Sequence, residues 1–272
     1  MKILIIGGGN MGITYAQSFL HSKITSVADL MILEKSSEKA AHLKSLEIAT
    51  IYTSGETCLA LADLIIIAVK PQDAPTLFEQ LKVHVNAQQV YLSIMAGVNM
   101  ETISELLGAK KIIRAMPNLP AQIGMGMTVF TSNMDVTRLE LVMVQNLINT
   151  TGKSIYVEKE SLIDASTAIS GSGPAYVFFF MNAMMKAALE LGFNQAESAL
   201  LVSQTYKGAV DLYDSNNLSF DQWIQKVSSK GGTTEAAINS FTNHEVHDDI
   251  LQAVFAAMER AVELGQDLND KS

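Results

Sequence analysis

Two glycine-rich turns, far apart in the chain, carry the residues best suited to chemistry. The first, GGGNMG at residues 7–12, follows the apolar run KILII and precedes ITYAQSFLHS, which reads as a helix. Gly7, Gly9 and Gly12 stand at GxGxxG spacing. In a strand–turn–helix setting, Gly7 permits a tight turn, Gly9 lets the backbone approach a pyrophosphate, and Gly12 allows close helix–strand packing. The free N–H groups at the helix start then meet phosphate oxygens. A glycine-rich turn can be only a turn; the strand before this one and the helix after it point to a dinucleotide cradle. The second stretch, VSSKGGTTEA at 227–236, contains no His, Cys or Asp and opens a predicted helix, EAAINSF. Gly231 and Gly232 permit positive φ and close backbone approach. Thr233 or Thr234 can cap the helix. Amides converging there, with the positive end of the helix dipole behind them, make a carboxylate site. SGSGP at 170–174 reads as a second set of free amides opening a helix. Both stretches also read as no more than well-capped helix starts.

The elements that must position these turns follow an α/β pattern. DLMILE ends at Glu34, 22 positions after Gly12, where an acidic side chain can bond a ribose 2′-hydroxyl and repel a 2′-phosphate. Glu34 thus leans towards NADH, while Lys35, Ser36 and Ser37 beside it offer groups that can hold a 2′-phosphate. The alternative is a solvated charge at a strand end. ADLIIIAV (62–69) is the unbroken apolar run of a parallel strand covered on both faces, stopped by Pro71. QVYLSIMAG (89–97), a shorter strand within KKIIRAMPNLPAQIG (110–124), GMTVFTS (126–132) and KSIYVE (153–158) complete the strands. Ligands of such sheets bind at strand carboxyl ends, here GGGNMG, Glu34, AVKPQ, MAG and MPN. Lys70 would reach a ribose or phosphate there, or remain a solvated loop lysine.

From Ser161 the pattern is helical: LIDASTAIS, then PAYVFFFMNAMMKAALELG, then NQAESALLVSQTYKGAVDLYDS. Pro174 suits a first helical turn and Gly192 a helix end. Tyr176, Phe178, Phe179, Phe180, Met181, Met184, Met185 and Leu189 make the second helix apolar nearly all round. In a region of about 110 residues this predicts an obligate dimer built by the helical half. The alternative is a single-chain core with this helix at its centre. The expected architecture is an N-terminal Rossmann-like doubly wound sheet over 1–159 and an all-helical dimerisation and substrate domain over 160–272.

Bulk properties narrow the function. The 272 residues carry a net charge of −9, which argues against a nucleic-acid partner because phosphate binding needs a basic face. The single cysteine, Cys58, excludes an internal disulfide framework and fits a reducing compartment. MKILIIGGG is too short an apolar run for a signal peptide, and AYVFFFMNAMM falls short of the ~20 residues of a membrane span. A soluble cytoplasmic protein is expected, and no metal site is.

The motifs GGGNMG, AVKPQ, SIMAGV, RAMPNLPAQIGMG, TAISGSGPAY and GGTT run almost from end to end, and together the chain resembles the 1-pyrroline-5-carboxylate reductases of proline biosynthesis. TAISGSGPAY with GGTT is highly specific; GxGxxG alone is not. The resemblance implies hydride transfer from NADH or NADPH to a cyclic imine, giving proline. It also implies an interlocked homodimer, often assembled further into decamers, with active sites shared between subunits. It implies that Gly7, Gly9, Asn10, Met11 and Gly12 line the pyrophosphate, that Ala68, Val69, Lys70 and Pro71 lie along the ribose, and that Ala96, Gly97 and Asn118 flank the nicotinamide end. It assigns the substrate to Ser229, Gly231, Gly232, Thr233 and Thr234: the Thr233 and Thr234 amides hold the carboxylate, and the Thr234 hydroxyl, the catalytic group, hydrogen-bonds the ring nitrogen. Since a protonated imine is already electrophilic, no histidine is required; His21, His42, His84, His244 and His247 all lie outside the motifs.

Two departures stand out. The family usually reads SPGGTT, whereas Lys230 occupies the proline position here, and many relatives carry an NADPH-suited pair in place of Glu34. The rivals are a reductase of another cyclic imine or of a hydroxy acid, and a non-catalytic nucleotide sensor. Hydroxy-acid enzymes of this plan generally need a lysine acid on the helical domain; Lys186 and Lys207 are present but stand in no matching motif.

Overall fold

The computed structural model describes residues 1–269. By compactness it divides into two units, residues 1–174 with 256 onward, and residues 175–255.

The first unit is built on one sheet. Its strands are β1 (Ile3–Ile6), β2 (Leu30–Leu33), β3 (Thr50–Tyr52), β4 (Leu64–Ile67), β5 (Val90–Ser93), β6 (Lys111–Met116), β7 (Gly126–Ser132) and β8 (Gly152–Tyr156). Their order is β3-β2-β1-β4-β5-β6-β7-β8, parallel throughout except for the antiparallel β6–β7 pair. This is the Rossmann-type order, extended past β6 by two strands. Helices α1 (Asn10–His21), α2 (Ser37–Ser45), α3 (Gly55–Leu61), α4 (Ala74–Leu81), α5 (Met100–Leu107) and α6 (Arg138–Ile148) alternate with the strands.

Side-chain alternation explains why the central strands are apolar at every position. Leu4, Ile6, Ile65 and Ile67 enter one core with Phe78, Leu81, Ile103 and Leu107 of α4 and α5. Ile3, Ile5, Leu64 and Ile66 enter the other with Tyr15, Phe19, Val144 and Leu147 of α1 and α6. Each fully buried Ile or Leu contributes roughly 1.5–3 kcal/mol, so both layers hold the strand ends in fixed register. The sequence missed β3: its three residues TIY are half-buried or exposed at the sheet edge, without an apolar run.

The helical region begins with α7 (Ser161–Ser166), a π-helical turn over Thr167–Gly171, and α8 (Gly173–Glu190). It continues through α9 (Gln195–Asp214), α10 (Phe220–Val227), α11 (Thr233–Asn243) and α12 (Val246–Asn269). No residue of α8 is buried within the chain, and Phe178 and Phe179 are 62% and 72% exposed. The single-chain core is therefore excluded: an apolar helix lies uncovered in the lone subunit. No described helix is long and apolar enough to cross a membrane.

Candidate active site

The first turn folds onto itself. Gly7 has φ +106°, its N–H donates to the Leu33 carbonyl at 2.9 Å, and a Cβ there would lie 2.7 Å from the Ala68 carbonyl oxygen. A Cβ on Gly12 would lie 2.1 Å from the Gly7 oxygen. Gly9 is the opposite case: a Cβ there would meet nothing within 4 Å. Gly9 caps α1 without a side-chain cap, so the first N–H groups of the helix, at Asn10, Met11 and Gly12, have no intrahelical partners. A helix N-terminus with bare amides and open space at its cap fits a pyrophosphate, and only glycine at position 9 keeps that space clear.

Glu34 is no solvated strand-end charge. Its Oε2 accepts from the Gly8 N–H at 3.1 Å and its Oε1 from the Ser36 N–H at 2.9 Å. The carboxylate thereby fixes the glycine turn while facing a cavity of about 720 Å³, whose walls include Gly7, Gly9, Glu34, Lys35, Lys39 and Lys70. Ala68 and Val69 also line it. The volume suits a nucleotide. Two carboxylates, Glu34 and Asp73, and three lysines line it and offer partners to both a ribose hydroxyl and a phosphate. Pro71, Ala96, Gly97 and Asn118 lie outside these walls, in the segments that follow β4, β5 and β6 at the same carboxyl edge.

SGSGP is not a free helix start. The Ser172 N–H donates five residues back to the Thr167 carbonyl at 2.8 Å, so α7 runs through the π turn into α8. Widening the turn re-aims a carbonyl: Ser170 O accepts from the Asn118 side-chain amide at 3.0 Å. The Asn118 Oδ1 accepts from the Met127 N–H at 2.8 Å, so both ends of this side chain are engaged. Arg114, 1% exposed on β6, anchors the same region. Its guanidinium grips Asp164 with both terminal nitrogens and reaches Glu160 Oε1 at 3.2 Å. Glu160 Oε1 also accepts from the Met100 N–H at 2.8 Å, joining α5 to the cluster. Sequence reasoning missed Arg114; the signal was a lone charge inside the apolar strand KIIRAM.

In the second unit, the cap of α11 is Gly232, extended at φ −89° and ψ 173°, and not Thr233 or Thr234, which occupy the first two helical positions. The start moves one residue earlier because Glu235 reaches back to accept from the Gly231 N–H at 2.7 Å. The Gly232 N–H is also taken, by the Ser229 carbonyl at 2.9 Å. Gly231 at φ +73° makes the bend. With those two amides used, the N–H groups without intrahelical partners are those of Thr233, Thr234 and Glu235. Ser229 and Lys230 are exposed at the rim, and Thr234 is half-buried. The result is a nest of unpartnered amides at a helix N-terminus, with the Glu235 carboxylate engaged on Gly231 and Lys230 exposed beside it. Among the described residues no group of His, Cys, Asp and Glu could hold a metal ion.

Residues 160–264 match the family model described as pyrroline-5-carboxylate reductase dimerisation. Residues 2–97 match one described as NADP oxidoreductase, coenzyme F420-dependent. The chain is 33% identical to a pyrroline-5-carboxylate reductase of Vibrio alginolyticus, with 97% of each chain covered. The chain belongs to the pyrroline-5-carboxylate reductase family. The reductase of Aquifex aeolicus is 32% identical, again over 97% of each chain. The solved structure of a Plasmodium falciparum pyrroline carboxylate reductase with NADP bound superposes with a TM-score of 0.88 at 28% identity, covering 97% of this chain and 98% of that one. Relatives of this reductase family thus span 97% of the chain.

Proposed function

We infer that the chain is an NAD(P)H-dependent pyrroline-5-carboxylate reductase, forming L-proline from the cyclic imine. The observation that carries this is the α11 start, where Glu235 and Ser229 consume the Gly231 and Gly232 amides and leave the next ones for a ligand oxygen. The bound cofactor supplies the hydride. The chain's residues do the rest. The α1 amides and Gly9 hold the pyrophosphate, while Glu34, Ala68, Val69, Lys70 and Pro71 hold the adenosine half and its ribose. Ala96, Gly97 and Asn118 bound the nicotinamide end. The Thr233 and Thr234 amides hold the substrate carboxylate, and the Thr234 hydroxyl hydrogen-bonds the ring nitrogen, fixing the face of the imine. Positioning a protonated imine needs no strong acid or base.

Glu34 favours NADH through its ribose contact, with Lys35 and Lys39 leaving NADPH usable. The working unit is a homodimer through the helical region, supported by the bare apolar face of α8 and the dimerisation-family match, and the protein is cytoplasmic. The test is the initial rate of reduced-nicotinamide oxidation with 1-pyrroline-5-carboxylate, run in parallel with NADH and NADPH. Turnover is expected with both, faster per cofactor concentration with NADH. Nucleotide binding without turnover would overturn the reading.

A further inference from the structure

Gly97 and Gly265 pack backbone to backbone. Gly97 has φ +76°, and a Cβ on it would lie 2.9 Å from the Gly265 nitrogen and 3.0 Å from the Ala261 carbonyl oxygen. The contact is tight in both directions, since a Cβ on Gly265 would lie 2.2 Å from the Gly97 oxygen. Neither position has room for a side chain, and Ala261 beside them is 3% exposed.

The segment this contact holds is the turn after β5, at the carboxyl edge of the sheet. Its flanks are fixed independently. Met95 and Val98 are 2% and 1% exposed in the core, and the Asn99 side chain accepts from the Thr102 N–H at 2.7 Å to cap α5. Between those anchors, the Gly97 backbone lies against the α12 backbone at Ala261, Leu264 and Gly265. In this sheet the nucleotide cavity lies over β1, β2 and β4, so a dinucleotide reaching onward along the edge next meets the turn after β5.

We propose that Gly265 of α12, with Ala261 one turn earlier, is a positioning residue for the nicotinamide half of the cofactor: by admitting the Gly97 backbone it sets the height of the Ala96–Gly97 turn against the reacting ring. The inference rests on the proposed dinucleotide function and adds to it a residue far along the chain from either glycine motif. A shift of about 1 Å in such a wall can cost on the order of a hundredfold in rate while leaving the adenosine half untouched.

The experiment compares whole and truncated cofactor on Gly265→Ala. Dissociation constants are measured by calorimetry for NADH and NADPH, and for ADP-ribose and 2′-phospho-ADP-ribose, which lack the nicotinamide. The expected result is an intact-cofactor affinity lowered about tenfold, with the fragments unchanged within about twofold. Parallel weakening of both would mean general loosening of the fold and would overturn the proposal, as would no change in either. Should Gly265→Ala fail to fold, Ala261→Gly loosens the same turn of helix without adding an atom and should move the ratio the same way by a smaller factor; an unmoved ratio there overturns the proposal. These readouts need no imine, so the expected ratio change in Gly265→Ala, with a wild-type protein that turns over no imine, sinks the proposed reaction and leaves this inference standing.

Discussion

The Asn118 side-chain amide donates to the Ser170 carbonyl at 3.0 Å, joining the loop after β6 to the π turn that separates α7 from α8. The same side chain accepts from the Met127 N–H, so its amide nitrogen and its oxygen are engaged in different directions. Asn118 thus acts as a brace for the turn at the sheet's carboxyl edge. Asn118→Asp isolates the brace, because a carboxylate still accepts from Met127 but sets an oxygen against the Ser170 carbonyl. The expected cost is about 1–3 kcal/mol of stability, the range for a half-buried polar group that loses its partner, accompanied by a lower kcat. Urea unfolding and steady-state rates would measure both. Unchanged stability would mean the bond carries nothing.

Arg114 is the deeper anchor. At 1% exposure it depends on Asp164 and Glu160 for compensation of its charge. Removing one partner of such a pair typically costs about 3–5 kcal/mol, because a buried charge is left unmatched. Asp164→Ala is expected to lower stability by about that amount, softened by the remaining Glu160 contact. Replacing Arg114 and Asp164 together by Met and Leu should recover much of the loss, because no fully buried charge is then stranded; Glu160, 28% exposed, keeps the Met100 N–H and water as partners. A double variant as unstable as the single one would show that the hydrogen bonds, rather than the charge balance, hold α7 to β6.

Thr234 stands at the second position of α11, half-buried, so its hydroxyl can be removed without touching the amides. Thr234→Val keeps the shape and the β-branch. It should leave the melting temperature nearly unchanged and reduce kcat/KM by an amount worth about 1–3 kcal/mol, as expected for one hydrogen bond to a charged group. Thr234→Ser should retain most of the activity. Full activity in the valine variant would confine the loop's role to its backbone.

The sequence was most legible where one local rule decided the outcome. GMTVFTS coincides with β7, and the continuous apolar runs mark β1, β4 and β5 because both faces of the sheet are covered. The helical caps were less legible. Thr233 and Thr234 have the right chemistry for a cap, yet the Glu235 bond to Gly231 moves the helix start, and that bond depends on a side-chain conformation rather than on residue type alone. The π turn was invisible for a similar reason: serines and glycines suggest a helix opening, whereas the Ser172 N–H finds a carbonyl five residues back. Arg114 was hidden because its partners stand 46 and 50 positions away.

Glu34 does two jobs that a substitution can separate. Both its oxygens accept backbone N–H groups, from Gly8 and Ser36, and the carboxylate still carries its negative charge at the rim of the nucleotide cavity. Glu34→Gln keeps one acceptor and removes the charge. Repulsion between a carboxylate and a 2′-phosphate about 4 Å apart in a water-exposed rim is worth about 1 kcal/mol or somewhat more. The kcat/KM ratio of NADPH to NADH should therefore rise roughly five- to tenfold. Glu34→Ala removes the acceptors as well, so it should raise KM for both cofactors by freeing the Gly8 N–H and slackening the phosphate turn. Measuring both variants with both cofactors separates the two effects: a ratio that moves in both variants, with KM rising for both cofactors only in the alanine variant, assigns selectivity to charge, whereas a KM that rises equally in both variants with no change in ratio would make Glu34 a structural tie alone.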